Sequence, residues 1–316
     1  MIERGRPMMK CLAVAGLCIS MASLTACEAV PPQQAADEPQ QSRAPQSVEP
    51  SDIFQDVEYL RTPQRALHLD IYLHPEAHTK PVPLLVYFHG GGWARGAPPD
   101  TWTGFRRYLN AGFSVATVEY RLSGEARAPA AVQDARCALH WLGGNAARLG
   151  VDPSRVVLYG TSAGGHIALM AGLLDDENAI DAPACANPPR AAAILDFYGP
   201  TDLTVLKSRS GQRHPTVVAF TGDGEEGEQV EKLVSPIFHI TADSPPIFMV
   251  HGTSDPVVPI DQSHRLSAAL EKAGIPHKLS VVSGGGHGKF DDSEKASVFD
   301  DALNFLRDQG ILEPAP

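Results

Sequence analysis

A serine flanked by glycines gives this chain a candidate nucleophile. Gly160-Thr161-Ser162-Ala163-Gly164 matches the pattern G-x-S-x-G. The segment directly follows an apolar run and opens a helical pattern, which is the context that a nucleophile elbow requires. A sharp turn from strand to helix brings backbone atoms close together, so glycines without a Cβ are needed there. The pattern therefore predicts that Ser162 projects from such a turn, at the positive end of the following helix.

A histidine and an aspartate farther along the chain are the residue types that activate a serine. His287 lies in the glycine-rich segment 283–288 after the last predicted strand, where a flexible loop can bring an imidazole over the serine. Asp255 follows another apolar run, and Pro256 and Pro259 stiffen its loop. In this chemistry the histidine takes the proton of the hydroxyl, and the aspartate orients the imidazole and stabilises its charged form.

The remaining candidates for the acid and the base are less well placed. Asp202 comes one strand too early, and Asp261 is predicted to cap the start of a helix. His251 ends an apolar strand, but the residues after it carry the acid, so we expect His251 to pack in the core. His264 and His277 lie on a helix and near its end, and we expect both at the surface.

A glycine-rich segment upstream carries a resemblance to a known family. His89-Gly90-Gly91-Gly92-Trp93 directly follows an apolar strand, and glycines there let backbone N–H groups approach a developing oxyanion. Combined with the serine motif and Gly165, it resembles the HGGG-type carboxylesterases, near the hormone-sensitive-lipase and BD-FAE-like esterases. Tyr120-Arg121-Leu122 and Tyr198-Gly199-Pro200-Thr201-Asp202 add to the likeness, which covers most of the chain from about residue 52 onward.

The resemblance implies an α/β-hydrolase fold and hydrolysis of small-molecule esters through an acyl-enzyme. It implies that the N–H groups of Gly91, Gly92 and Ala163 form the oxyanion hole, while His89 braces the loop. We expect no metal and no cofactor, since the mechanism needs neither and the sequence has no Cys/His cluster with zinc spacing. Two alternatives remain: a peptidase or amidase of the same fold, and a catalytically inactive binding lipoprotein.

The elements that must position these residues follow from hydrophobic periodicity. Apolar runs predict strands at 67–72, 84–88, 114–118, 155–159, 192–196, 247–250 and 278–282. Helical patterns cover 131–149, 162–174, 261–273 and 293–308. Strands that alternate with helices of this length predict an α/β fold, with a mostly parallel sheet and helices on both faces. Active sites in such sheets gather at the carboxyl ends of the strands.

Other features admit two interpretations. Three aromatic residues either line an acyl or aryl pocket or pack the glycine loop onto the core: Trp93, Trp102 and Phe105. Residues 201–235 form a longer connection that could act as a short cap. Its acidic run 222–228 fits a solvated loop better than a calcium site, because the spacing matches no familiar calcium loop. Three basic residues of this segment are expected at the surface: Lys207, Arg209 and Arg213.

The N-terminal residues indicate export. Arg4, Arg6 and Lys10 precede an apolar run at 11–26 that fits a secretory signal and is short for a membrane span. The run ends in Leu24-Thr25-Ala26-Cys27, which resembles a bacterial lipobox; an ordinary signal peptide with a chance cysteine is the alternative. The resemblance implies cleavage before Cys27, acylation of its side chain and a lipid anchor in the cell envelope. By resemblance to bacterial sorting rules, Glu28 favours the outer membrane, with a periplasmic protein as the alternative.

Composition divides the chain into three parts. We predict a signal peptide at 1–26, a disordered tether at 27–50 that is rich in Pro, Gln, Ala and Ser, and a catalytic domain at 51–316. The net charge of −11 argues against nucleic acid as a partner and against adsorption to an anionic membrane. Cys137 and Cys185 remain in the catalytic domain, where they either pair in an oxidising compartment or stay as two buried thiols. The oligomeric state stays open.

Overall fold

A twisted, mostly parallel sheet forms the centre of the protein. The computed structural model describes residues 47–208 and 210–314, so the predicted signal, Cys27 and residues 28–46 of the predicted tether lie outside the described residues. The strands are β1 (Asp52–Arg61), β2 (Ala66–Leu73), β3 (Val82–Phe88), β4 (Ser114–Val118), β5 (Val151–Thr161), β6 (Ala193–Phe197), β7 (Ile247–Gly252) and β8 (His277–Val282). Their spatial order is β1-β2-β4-β3-β5-β6-β7-β8. Only the β1–β2 and β2–β4 pairs are antiparallel.

Helices cover both faces of this sheet. They are α1 (Arg106–Asn110), α2 (Ala130–Leu149), α3 (Ala163–Leu173), α4 (Pro215–Thr221), α5 (Gly224–Leu233), α6 (Asp261–Ala273) and α7 (Asp292–Asp308). Apolar side chains of α2, α3 and α6 form one core layer with the sheet, and those of α1 and α7 form the other. Among the described residues, no helix combines the length and the apolar character needed to cross a membrane.

The predicted fold class is confirmed, and so are the predicted strands and long helices. β2 to β8 overlap the seven predicted strands, with β5 extending four residues farther at its start, and α2, α3, α6 and α7 match the predicted helices to within one residue at each end. The sequence patterns did not predict β1, α1, α4 or α5. β1 is an edge strand in which only Tyr59 is buried, so it lacks the apolar alternation that marks a strand. The other three are short helices of five to ten residues.

The segment 201–235 differs from the sequence prediction in two respects. The acidic run 222–228 is not a solvated loop, because most of it forms the first turns of α5, where Glu225 and Glu226 face the positive end of the helix dipole. Arg213 is not a surface residue, since its guanidinium is largely buried and pairs with the buried carboxylate of Glu231. Lys207 is exposed as expected, and Arg209 lies outside the described residues.

Two smaller predictions on α6 and its neighbour are wrong. Asp261 is the first residue of α6 rather than its N-cap, a position that Ile260 occupies without a side-chain bond. His277 is half-buried rather than at the surface, because β8 packs against α6. This packing places the imidazole Nε2 of His277 3.0 Å from Ser267 Oγ. His264 is exposed as expected.

A disulfide joins α2 to the loop that precedes β6. Cys137 and Cys185 are both buried, and their Cα atoms lie 4.8 Å apart. The bond closes a loop with a sequence separation of 48 residues, which includes the serine turn and all of α3. The cross-link therefore limits how far this part of the chain can spread when the protein unfolds.

Removing this disulfide is expected to lower stability. The double variant Cys137→Ala/Cys185→Ala should lose about 2–4 kcal/mol of unfolding free energy, because the unfolded chain regains the entropy that the cross-link removes. Urea unfolding followed by circular dichroism measures the change. Reductant should destabilise the wild type by a similar amount and leave the double variant unaffected; a reductant effect of equal size on both proteins would contradict the prediction.

Candidate active site

The serine motif forms a tight turn between β5 and α3. Ser162 has φ +55° and ψ −123°, a region that costs a non-glycine residue about 1–3 kcal/mol. Its N–H donates to the carbonyl of Phe197 on β6, over 2.8 Å, which fixes the turn to the neighbouring strand. The hydroxyl is thus held at the carboxyl end of β5, in front of the N-terminus of α3.

Glycines on both sides of the serine are a steric requirement of this turn. A Cβ on Gly160 would lie 2.0 Å from the carbonyl oxygen of Gly164. A Cβ on Gly164 would lie 2.1 Å from the carbonyl oxygen of Phe88 at the end of β3. Both obstacles are backbone atoms that cannot move aside. The two glycines therefore let α3 start directly against the ends of β5 and β3.

The structure brings Ser162, His287 and Asp255 into one hydrogen-bonded chain. The Ser162 hydroxyl donates to His287 Nε2 over 2.8 Å, and His287 Nδ1 donates to Asp255 Oδ2 over 2.7 Å. The three residues come from loops at the carboxyl ends of β5, β8 and β7, where the topology predicts an active site. This geometry allows the imidazole to accept the hydroxyl proton as the oxygen attacks an electrophile.

The carboxylate of Asp255 is buried and well supplied with donors. Its Oδ1 accepts the N–H groups of Val257, over 2.8 Å, and Val258, over 3.0 Å. Burial by itself raises the pKa of Asp255, but hydrogen bonds from His251, His287 and these two amides outweigh it and hold the pKa well below its ordinary value. The carboxylate is therefore ionised throughout the neutral range.

His251 packs in the core as expected, and it also contacts the acid. Its Nε2 lies 2.8 Å from the carbonyl of Val258 and 3.4 Å from Asp255 Oδ2, while Nδ1 lies 2.7 Å from the hydroxyl of Ser263. Because a carbonyl only accepts, Nε2 carries the proton and points it at both oxygens. The sequence patterns missed this role, since His251 is four residues from Asp255 along an irregular turn and no period relates the two.

The glycine loop after β3 lies against the serine. Gly91 and Gly92 have φ of +130° and +61°, which an L side chain rarely adopts. They line the same cavity as Ser162, Ala163 and His287. Within residues 47–208 and 210–314, no hydrogen-bond acceptor is found for the N–H of Gly91 or Gly92. These free donors are in position to bind an oxyanion, together with the N–H at the start of α3.

Aromatic residues hold the glycine loop from below. The ring of His89 stacks on Tyr120 at 4.3 Å, and the Tyr120 hydroxyl donates to the His89 carbonyl over 2.7 Å. Trp93 is buried, stacks on Phe220 at 4.6 Å, and donates its indole N–H to His166. Burial lowers the pKa of His166 to about 4, so the ring stays neutral and can accept this bond. The expectation that His89 braces the loop agrees with these contacts.

The aromatic residues of this region pack mainly in the core. Phe105 is buried against Tyr87 with ring centroids 5.0 Å apart, and Trp102 is half-buried beneath the guanidinium of Arg106. Of the three residues considered for a substrate pocket, only Trp93 touches the cavity of Ser162. The packing interpretation therefore applies to Trp102 and Phe105, while Trp93 both packs in the core and lines the cavity.

The cavity of Ser162 has a volume of about 380 Å³. Part of its wall comes from three residues of the segment between β6 and α5: Leu206, His214 and Thr216. Tyr198, with φ +48°, forms another wall and places its ring 4.8 Å from that of His287. The first three of these residues carry no local sequence pattern, because a distant part of the chain brings them to the serine, whereas Tyr198 lies in a segment that the family resemblance includes. In the described part of the chain, no group of three or more His, Cys, Asp or Glu side chains is arranged to hold a metal ion.

Comparison with protein families supports an assignment to hydrolases. The family model BD-FAE matches residues 69–270, and a model for TAP-like proteins matches residues 229–312. Among curated proteins, Esterase LipQ of Mycobacterium tuberculosis is 30% identical over 210 residues, which cover 65% of this chain and 50% of that protein. The chain spans about half the length of the curated relatives it matches.

Solved structures share the fold. A truncated carbohydrate esterase from gut microbiota has a TM-score of 0.68 and 27% identity, and the match covers 84% of this chain and 99% of that one. A propionate-bound esterase, Est2 of Thermogutta terrifontis, has a TM-score of 0.68 and 26% identity, over 86% of this chain and 97% of that one. The fold is therefore the α/β-hydrolase fold that the sequence resemblance implied.

Removing the His251 proton donor is expected to slow the reaction of an activated serine. The variant His251→Phe should reduce kcat about tenfold with KM little changed, since a hydrogen bond to a charged group contributes roughly 1.5–3 kcal/mol. His251→Gln, which keeps an N–H near the Nε2 position, should recover part of the loss. Steady-state kinetics on an activated ester test this, with thermal unfolding to verify the fold. Equal kcat for the wild type and a folded His251→Phe protein would refute the role.

Proposed function

We propose that this chain, which belongs to the BD-FAE family, is a serine carboxylesterase that hydrolyses small acyl or aryl esters through an acyl-enzyme. The observation that carries the proposal is the continuous hydrogen-bonded chain Ser162–His287–Asp255, with contacts of 2.8 and 2.7 Å. The free backbone donors beside it supply the second requirement of acyl transfer, which is stabilisation of the oxyanion.

Acylation begins with attack of the Ser162 oxygen on the ester carbonyl. His287 Nε2 receives the hydroxyl proton, and Asp255 stabilises the imidazolium through Nδ1. The negative oxygen of the tetrahedral intermediate is held by the N–H groups of Gly91, Gly92 and Ala163. Such donors contribute about 3–4 kcal/mol each to the rate in related chemistry. The imidazolium then donates its proton to the alcohol as the alcohol leaves.

Deacylation repeats these roles with water as the nucleophile. His287 takes a proton from a water molecule, which attacks the acyl carbonyl, and then returns a proton to Ser162. Asp255 needs no change of protonation at any step, since its pKa lies well below the neutral range. The relay therefore returns to its starting state after each turnover.

The size of the cavity and the relatives support short acyl groups. The space around Ser162, about 380 Å³, lies at the small end of ligand sites in proteins. A solved relative with 26% identity and a TM-score of 0.68 binds propionate, and another is described as a carbohydrate esterase. A peptidase or amidase of the same fold remains the second candidate, because the same three hydrogen-bonded residues can attack amides.

Two chromogenic substrates separate these possibilities, and replacing the nucleophile tests the mechanism. The wild type should hydrolyse p-nitrophenyl acetate far faster than an aminoacyl-p-nitroanilide. Ser162→Ala should lower kcat by about 10⁴-fold or more, because the oxyanion donors alone retain little activity. Ser154→Ala, at the amino end of the same strand, is the matched control and should keep full activity. Unchanged ester turnover in Ser162→Ala would exclude the mechanism, and faster anilide cleavage would favour the peptidase.

We further propose that the protein is exported and anchored by lipid on Cys27. The basic residues, the apolar run and the lipobox-like Leu24-Thr25-Ala26-Cys27 support this, and residues 27–50 would serve as a tether for a catalytic domain at 51–316. The disulfide between Cys137 and Cys185 is consistent with an oxidising compartment outside the cytoplasm. With Glu28 after the cysteine, the outer membrane is the proposed destination.

The anchor can be tested by labelling. When the full chain is made in a bacterium supplied with radioactive palmitate, the wild type should carry label and sediment with the envelope membranes. Cys27→Ser should lose the label, since serine cannot form the thioether of a lipoprotein. Cys18→Ser, which changes another cysteine of the apolar run, is the control and should stay labelled. Label retained in the Cys27→Ser protein would argue against the anchor.

A further inference from the structure

A second cavity lies next to the cavity of Ser162, and the proposed mechanism does not use it. Its volume is about 450 Å³, and it shares two wall residues, Tyr198 and Gly288, with the first cavity. It lies on the side of the sheet that α1 and α7 cover, beneath the loop that carries His287. We call it the aromatic cavity.

Aromatic rings form most of the walls of this cavity: Tyr108, Tyr159, Phe197, Tyr198, Phe290 and Phe299. Tyr108 packs against Tyr159 and Phe299 with ring centroids 5.5 and 5.1 Å apart, and Tyr159 packs against Phe197 at 5.0 Å. The rings are inclined to one another by 45–73°, so they present both faces and edges to the space between them. Such walls favour a flat, unsaturated ring, which gains edge-to-face and offset contacts.

The mouth of the cavity carries positive charge. The guanidinium of Arg107 lies over the ring of Phe299, 5.0 Å from its centroid. Within the described ranges, no carboxylate lies at ion-pair distance from Arg107. Lys295 and Asp292 also line the cavity, and they pair with each other over 3.1 Å. The positive dipole end of α7 is likewise offset by the acidic residues Asp291, Asp292 and Glu294. Among the described residues that line the cavity, Arg107 is therefore the cation that no neighbouring carboxylate offsets.

The wall between the two cavities is thin. Gly288 directly follows His287 and has φ +64°, and a Cβ there would lie 2.6 Å from the hydroxyl oxygen of Tyr198. The Tyr198 ring also packs against the imidazole of His287, with ring centroids 4.8 Å apart. The aromatic cavity therefore adjoins the cavity of Ser162 at Tyr198 and Gly288, which line both.

We propose that the aromatic cavity is a binding subsite for an aromatic ring that bears a negative charge, on the part of the ester remote from the bond that is cleaved. The rings would hold the flat group, and Arg107 would pair with its anion. The substrate assignment rests on the proposed esterase function, whereas binding to the cavity does not. A negative result in the binding experiment and a negative result in the esterase assay can therefore be told apart.

Binding is measured first, on the Ser162→Ala protein, by titration calorimetry with 2-naphthoate and its neutral isostere 2-naphthamide. We expect the naphthoate to bind about three- to fivefold more tightly at low salt, as for an exposed ion pair, and the difference to shrink at high salt. Arg107→Gln should abolish the difference. Arg106→Gln is the matched control, because Arg106 lies over Trp102 and does not line the cavity, and it should retain the difference.

A blocking variant locates the ligand. Gly104 lines the cavity, and a Cβ at this position would have no atom within 4 Å, so Gly104→Trp adds a bulky ring at the cavity wall without a clash at its Cβ. It should prevent naphthoate binding while turnover of p-nitrophenyl acetate stays near the wild-type rate. Naphthoate binding that is indifferent to both Gly104→Trp and Arg107→Gln would overturn the proposal, as would equal affinity for the acid and the amide.

Catalysis then tests whether the subsite serves the substrate. p-Nitrophenyl 6-carboxy-2-naphthoate should show a KM about three- to fivefold lower than the uncarboxylated ester, and Arg107→Gln should raise only the KM of the carboxylated one. If the wild type does not hydrolyse p-nitrophenyl acetate, the esterase proposal is refuted, while the binding result for the cavity still stands. Normal acetate turnover without a carboxylate effect would refute the subsite and leave the esterase intact.

Discussion

The left-handed backbone of Ser162 is the constraint on which the rest of the site depends. Turning from β5 into α3 at one residue requires that neighbouring backbone atoms approach more closely than side chains allow. Gly160 and Gly164 remove the obstruction within the turn, and Gly90 leaves room for the carbonyl of Thr161, which a Cβ would meet at 2.9 Å. The Ser162 N–H bonds to β6, so the strained residue is held by the sheet itself. The glycine loop, the nucleophile and the helix N-terminus are therefore positioned as one unit.

Two buried carboxylates near this turn show how hydrogen-bond donors determine whether a buried carboxyl group is ionised. Burial raises the pKa of Asp196 to about 7, and the opposing effects of His251 and of the Gly199 N–H are smaller. Asp255 is also buried, but four donors surround it and keep its pKa well below the ordinary value. The difference comes first from the imidazoles of His251 and His287 and then from the backbone amides of the loop after β7. A permanent anion beside His287 is thus a property of these surrounding donors as much as of the residue.

Sequence patterns located the chemistry because it lies in short segments with strong local requirements. Glycines around Ser162 and in the loop after β3 are needed for steric reasons that any such turn shares, and apolar runs mark strands that are covered on both faces. The same patterns missed β1, α4 and α5, whose apolar surface is too small to leave a periodic signal. They also placed Arg213 at the surface, although a buried carboxylate eighteen positions away along the chain holds it.

The amino-acid sequence by itself determined the fold class and identified Ser162, Asp255, His287 and the glycine loop as the candidate site, which the structure brings together. Each of these depends on local backbone geometry that a few neighbouring residues specify. Only the tertiary structure decided that His251 donates toward Asp255, that Tyr198 borders two cavities, and that residues of the segment 201–235 line the cavity of Ser162. These contacts join segments that are remote in the chain or related by irregular turns. Their distances are set by how the helices and loops pack on the sheet, and no local period encodes them.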